Sequence, residues 1–281
     1  MKVIILGGTG LLGADIIKAC KKDYEITGLS SSDVDITDPD RVYNYIKTKK
    51  PEVVINSAAI TDVDKCELEP DRAYSVNTMG PKNIAIACRD FKIKFIHIST
   101  DYVFNGKKGQ PYTEFDEPDP VNIYGKTKLA GEQMIKEITN DFIILRTAWI
   151  FGEQRNHFVD YVVSCIKKGE EIIAVKDMVS SPTYSVDLAG MIKKLIPMKQ
   201  AGLYHAANKG YCSRVQMVEE IMKIMKKQTK VKVVKQSQWE RPAKRPVFSA
   251  LRNYHLSLMD KDDMAGWRDS LKRYIKYKYE S

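Results

Sequence analysis

Tyr124 and Lys128 stand four residues apart in the segment NIYGKTKLAGE. On a helix that spacing sets a phenol and an ammonium on one face. An ammonium beside a phenol favours the phenolate, so the lysine is expected to lower the tyrosine's pKa. Such a pair can give and take the proton of an alcohol–ketone interconversion. The pattern Y-x-x-x-K recurs by chance, and its weight comes from what precedes it. The segment HISTDYVFNG, residues 97–106, carries a hydroxyl at Thr100. Thr100 and Tyr124 would aim two donors at one carbonyl oxygen, with the charge of Lys128 behind them.

These groups need a strand end and a helix start to hold them. The chain opens MKVIILGGTGLLGADIIKAC. Val3 to Leu6 form a short, continuous apolar run that suits a strand buried on both faces. After the glycines, Ile16, Ile17 and Cys20 recur at helical spacing. Gly7, Gly10 and Gly13 allow a tight turn, a close approach to an anion and close packing of helix on strand. The helix start then presents free N–H groups and a positive dipole end to a pyrophosphate. Gly7, Thr9, Gly10, Leu11, Leu12 and Gly13 are therefore candidate contacts to a dinucleotide.

The same reading extends along the first half. Strands are expected near 2–6, 24–29, 52–56, 93–98 and 142–147, and helices near 11–22, 39–49, 71–90 and 124–138. This alternation implies an α/β fold, a doubly wound parallel sheet of the Rossmann kind. Residues 1–150 would form the dinucleotide-binding domain. Residues 151–281 would form a smaller α/β substrate lobe interleaved with it, with helices near 157–168, 185–197, 213–228 and 266–278. Short strands are expected there near 171–175, 202–205 and 231–235. The Trp239–Ser249 stretch, WERPAKRPVFS, reads as an ordered loop.

In such a sheet, ligands sit at the strand C-terminal ends. Asn56, Ala58 and Ala59 end the third strand, where small residues admit a close ligand. Ser99 and Thr100 end the fourth. Asn77 would support the lysine through a water or brace the strand ends. Ser30 and Ser31 follow the second strand, where an acid on the ribose 2′-OH would favour NADH. No acid appears before Asp33, and no arginine stands in this stretch, so the serines lean toward NADPH. Asp35 and Ile36 are placed beside the adenine.

Composition excludes several classes. No apolar run approaches the roughly 18 residues of a membrane span. Five scattered cysteines without C-x-x-C point to free thiols in a reducing cytoplasm and to no metal site. The net charge of +9 comes from 45 basic and 36 acidic residues interspersed along the chain. No basic stretch carries stacking aromatics, so nucleic acid is not an expected partner.

Six segments come in one order: the glycine turn, AAITDVDKCE, STDYVFNG, YGKTKLAGE, RTAWIFG and SPTYSVDLA. Together they resemble the dTDP-4-dehydrorhamnose reductases, extended short-chain dehydrogenases/reductases. The resemblance implies hydride transfer from NADPH or NADH to C4 of a nucleotide-linked 4-keto-6-deoxy sugar, with a dTDP-linked substrate as partner. It implies that Tyr124 is the acid, that Lys128 lowers its pKa and holds the nicotinamide ribose, and that Thr100 bonds the substrate oxygen. Tyr102, Trp149 and Asn156 become candidate substrate contacts. A homodimer is compatible with the sequence.

The departures from the family pattern are local. Leu11 replaces a glutamine, Met178-Val179-Ser180 lacks the usual glutamine and glycine, Arg155-Asn156-His157-Phe158 replaces G-x-N-F, and Arg252 follows S-x-L. Two other readings stay open: a nucleotide-binding regulatory subunit like that of methionine adenosyltransferase, and an NDP-sugar epimerase or dehydratase.

Overall fold

Val3 to Leu6 are all buried and form β1, Lys2–Leu6. The computed structural model describes residues 1–154 and 157–279. After β1 come α1 (Leu11–Cys20), β2 (Glu25–Leu29), α2 (Pro39–Lys49), β3 (Val53–Asn56), α3 (Val63–Leu68), α4 (Pro70–Tyr74) and α5 (Gly80–Asp90). Next are β4 (Lys94–Thr100), α6 (Ile123–Ile138), β5 (Phe142–Thr147), β6 (Ile150–Phe151), α7 (Phe158–Lys168), β7 (Ile172–Val175), β8 (Val179–Ser180) and β9 (Thr183–Tyr184). The chain closes with α8 (Ser185–Leu195), β10 (Gly202–His205), β11 (Cys212–Ser213), α9 (Arg214–Met225), β12 (Val231–Val234), α10 (Tyr254–Leu258) and α11 (Trp267–Tyr279).

The main sheet has six parallel strands in the order β10-β5-β4-β3-β1-β2. Strand alternation divides the apolar side chains between its faces. Val3, Ile5, Ile55 and Leu145 face α1 and α8, packing with Ile16, Leu188 and Ile192. Ile4, Leu6, Val54 and Ile144 face the other way, onto Val42 and Ile46 of α2 and Ile84 of α5. A separate core under the later segments gathers Phe151, Val162, Val218, Trp267 and Tyr274.

Two expectations need correction. Residues 71–90 are not one helix. They break into α4, a π turn over Ser75–Met79, and α5. Pro81 has no N–H to return to the Asn77 carbonyl, so a regular α turn cannot form there. That carbonyl packs instead on α6, where a Cβ at Gly131 would lie 2.5 Å from it. Residues 202–205 do not stay with the later lobe either. As β10 they pair with β5 and become the sheet's sixth strand.

β4 runs two residues further than the apolar pattern suggested, ending at Thr100. Its register sets Ser99 opposite Arg146 and Thr100 opposite Thr147. Behind this edge lies a buried ion pair between α6 and β5. Arg146 Nη2 and Nε donate to Glu132 at 2.6 and 2.9 Å. Ser99 Oγ donates to Glu132 Oε1 at 2.5 Å. Removing one partner would strand a charge in the interior. Arg146→Met is therefore expected to lose roughly 3–5 kcal/mol of unfolding free energy in a urea titration. A loss under about 1 kcal/mol would show that the pair does not hold the sheet edge.

Candidate active site

The glycine turn leaves β1 with no room for side chains. Gly7 has φ +78°, and a Cβ on it would lie 2.7 Å from the Ala58 nitrogen. A Cβ on Gly13 would lie 2.1 Å from the Gly7 carbonyl oxygen. Gly13 thus lets α1 sit on the turn. Gly10, the N-cap, makes no side-chain cap hydrogen bond, and the first turn of α1 holds no acid. Its N–H groups suit a pyrophosphate.

This turn is one wall of a cavity of about 610 Å³ at the strand ends. Gly7, Thr9, Gly10, Leu11 and Leu12 line it, with Ser30, Ser31, Asp35 and Ile36 beyond β2. Ala58 and Ala59 follow β3, and Ser99, Thr100 and Tyr102 follow from β4. Tyr124 and Lys128 of α6 and Trp149 complete the set. The fold therefore brings together almost every residue singled out from the sequence. Gly13 serves packing. Asn77 lies behind the wall: it accepts from Ile60 N at 2.9 Å and donates to Ile60 O at 3.0 Å and Thr127 Oγ1 at 3.2 Å. It braces the loop rather than touching the lysine. Asn156 lies outside the described residues.

α6 starts where the site needs it. Asn122 caps it, accepting from Gly125 N at 2.8 Å, and donates its amide to Lys244 O at 2.7 Å. A Cβ on Gly125 would meet Tyr102 O at 2.1 Å, so glycine lets the helix start press on the end of β4. Tyr102 and Tyr124 then meet edge to face at 5.8 Å.

The Tyr124 phenol lies next to Thr100, which acts to lower its pKa. Thr100 Oγ1 donates to Asp101 Oδ1 at 3.2 Å and accepts from Tyr102 N at 3.2 Å. Asp101 Oδ2 accepts from Ser249 Oγ at 2.5 Å and Ser180 Oγ at 2.9 Å. Burial pushes Asp101 up to about 6 against these bonds.

The expected sign of the tyrosine shift is wrong. Burial raises the Tyr124 pKa, and the Thr100 bond lowers it only in part. Lys128 makes its contacts elsewhere: Nζ donates to Ile98 O at 2.6 Å and lies 3.1 Å from His97 Nε2. Burial pushes the ammonium down to about 8, with Glu132 pulling the other way. Desolvation is the largest influence on both groups.

The fold also supplies cations that local sequence did not reveal. Arg41 of α2 donates from Nη2 to Ser32 O at 3.0 Å, so an arginine does stand by the serine loop. Asp33, nearby, accepts from Ser30 N at 2.8 Å and Ser30 Oγ at 2.6 Å. Arg72 lines the cavity, and so does Thr147, whose buried hydroxyl has no hydrogen-bond partner among the described residues. Proximity in sequence signals none of the three.

A second chamber of about 770 Å³ shares Val63 and Tyr102 with the first. Arg214, Trp239, Arg241, Lys244 and Arg245 line it. Arg245 Nη1 and Nη2 donate to the Asp64 carboxylate at 2.6 and 2.7 Å, tying the 239–249 loop to α3. Arg214 makes no ion pair among the described residues. Its guanidinium lies 3.6 Å over Trp149 and 4.5 Å over Phe158, and burial pushes its pKa down to about 10. Trp149 holds φ 38°, a strained value for a side chain of that size.

This arrangement can be set beside known proteins. A family model described as the RmlD substrate binding domain matches residues 1–279. The dTDP-4-dehydrorhamnose reductase of Mycolicibacterium smegmatis is 37% identical over 275 residues, covering 96% of this chain and 84% of that protein. The chain belongs to the dTDP-4-dehydrorhamnose reductase family. A solved dTDP-4-dehydrorhamnose reductase from Clostridium acetobutylicum has a TM-score of 0.95 at 43% identity, with 99% of both chains covered. Another, from Bacillus anthracis in complex with NADP, has a TM-score of 0.96 at 36% identity, again with 99% of both covered. A Thermus thermophilus UDP-glucose 4-epimerase, at 19% identity and a TM-score of 0.85, shares the fold alone.

For a reductase of this family, the state of Lys128 sets a measurable limit. A lysine that acts as an ammonium would do so only below its folded-state pKa. Activity is expected to be full below pH 8 and to fall through a single ionisation near there, where lysine has dropped to about 8. A kcat/KM profile that stays flat to pH 10, near lysine's ordinary value, would overturn this.

Proposed function

We infer that this chain reduces the C4 keto group of a dTDP-linked 4-keto-6-deoxy sugar with NAD(P)H, taking dTDP-4-dehydro-L-rhamnose to dTDP-L-rhamnose. One observation carries the reading. Thr100, Tyr124 and Lys128 converge on the cavity whose other wall is the glycine turn, in a chain of this family.

The reduced nicotinamide supplies the hydride when bound. Thr100 and Tyr124 would bind the keto oxygen, and Tyr124 would protonate the alkoxide that forms there. Burial suits Tyr124 to that task, because a raised pKa keeps the phenol protonated at neutral pH. Lys128 would restore the proton and hold the ribose. The free hydroxyl of Thr147 fits a polar group of the same ligand. Residues 1–150 would supply most of the dinucleotide site and residues 151–281 the sugar-nucleotide lobe. The second chamber would take the nucleoside diphosphate, with Arg214 as its cation and Trp149 and Tyr102 against the sugar.

A dehydratase needs a free acid after the threonine. Asp101 stands there, but Thr100, Ser180 and Ser249 already fill its carboxylate. The NADP held by the Bacillus anthracis relative agrees with a 2′-phosphate near Ser30, Ser31 and Arg41.

Oxidation of NADPH or NADH, followed by absorbance with dTDP-4-dehydro-L-rhamnose made in situ, tests the reaction. Tyr124→Phe is expected to lower kcat about 10²-fold or more with little change in NADPH affinity. Retained turnover would remove the assigned acid. Arg41→Ala should weaken NADPH on the order of fivefold, about 1 kcal/mol, while sparing NADH. Equal losses for both cofactors would separate Arg41 from the 2′-phosphate.

A further inference from the structure

Beneath Lys128, a buried chain of side chains runs from β4 to β3. Ala58 N donates to Asn56 Oδ1 at 3.0 Å. That bond fixes the amide, so its Nδ2 end faces the imidazole of His97, 3.2 Å from Nδ1. An amide nitrogen only donates, so Nδ1 must accept and carries no proton. The proton of the neutral ring is then on Nε2. Nε2 lies 3.1 Å from Lys128 Nζ.

An amine accepts such an N–H, whereas an ammonium has no lone pair to offer. Charging Lys128 therefore sets two N–H groups against each other. Moving the ring proton to Nδ1 only shifts the conflict to Asn56. A second ring proton is disfavoured as well, because His97 is fully buried and its pKa is held well below the usual histidine value.

We propose that Asn56 and His97 act as positioning residues that hold Lys128 close to the balance between ammonium and amine. The proposal rests on the reductase reading of the site. The other groups around Lys128 do not cancel the effect. Ile98 O accepts from either form. Glu132, one turn along α6, favours the charge, but Arg146 and Ser99 already occupy it. Tyr124, one turn back, is neutral, and Asn77 and Thr127 carry no charge. Burial already lowers the lysine pKa, and the N–H contact acts in the same direction. An ammonium held in this way gives up its proton more readily than a solvated one.

Two measurements decide it. Long-range ¹H–¹⁵N NMR of the whole protein reads the His97 tautomer, with the signal assigned by its loss in His97→Gln. A proton on Nε2 is expected, and a proton on Nδ1 overturns the proposal. This reading needs no turnover, so it stands apart from failure of the reductase assay.

In Asn56→Asp the carboxylate would accept from Nδ1, turning Nε2 into an acceptor for the ammonium. The alkaline limb of kcat/KM should then rise by about one pH unit or more, together with transfer of the ring proton to Nδ1. An unmoved limb, or a limb that rises with the proton still on Nε2, overturns it. Should Asn56→Asp not fold, the tautomer in the unsubstituted protein decides alone.

Discussion

The Glu132–Arg146 ion pair joins the three elements that meet at the site. Glu132 is on α6 with Tyr124 and Lys128, Arg146 is on β5 just before Thr147 and Trp149, and Ser99 on β4 adjoins Thr100. Both charges are shut away from water, with relative side-chain exposures of 1% and 0%. A buried pair of this kind is weak evidence for stability as such, because desolvation offsets most of the attraction. It does impose geometry. A bidentate contact tolerates little sliding of helix on sheet, so the phenol, the threonine hydroxyl and the ammonium keep a fixed relation. Arg146 also lies 5.1 Å over Phe104, which extends the same constraint to the segment after Thr100.

The site is divided between two kinds of chemistry. One wall of its first chamber is built from backbone: glycines, a helix start and strand ends. Its second chamber is built from side chains, chiefly arginines and aromatics on segments distant in sequence. The division reflects the ligands each would hold. A pyrophosphate against N–H groups needs close approach and little else, whereas a nucleoside diphosphate in a broad chamber needs charge and flat surfaces. Arg214 shows the cost of the second solution. Among the described residues it is a cation without a carboxylate, kept by two aromatic faces in a place where burial works against its charge.

The features that local sequence encodes were legible in it. β1 and β5 match their apolar runs, the glycine turn announces its own geometry, and the spacing of Tyr124 and Lys128 is itself a helical face. What depends on tertiary neighbours was not legible. Four residues at 202–205 cannot state that their hydrogen-bonding partner is β5. The break in 71–90 turns on one missing N–H at Pro81 and a close contact with Gly131. Arg41 comes to the serine loop only because α2 folds back beside it. The tyrosine's shift had the wrong expected sign because helical spacing reports which groups are near and says nothing of how dry they are.

Asn122 performs two jobs at once. Its oxygen caps the helix that carries the phenol and ammonium, and its nitrogen grips the carbonyl of Lys244 in the loop that walls the second chamber. The two ends of one amide thus link the part that would recognise the nucleotide to the part that would move the proton. The link is one side chain: a shift of the 239–249 loop would act directly on the first turn of α6. A cargo seated badly in the outer chamber would be felt at the reacting carbon without any relay through the sheet.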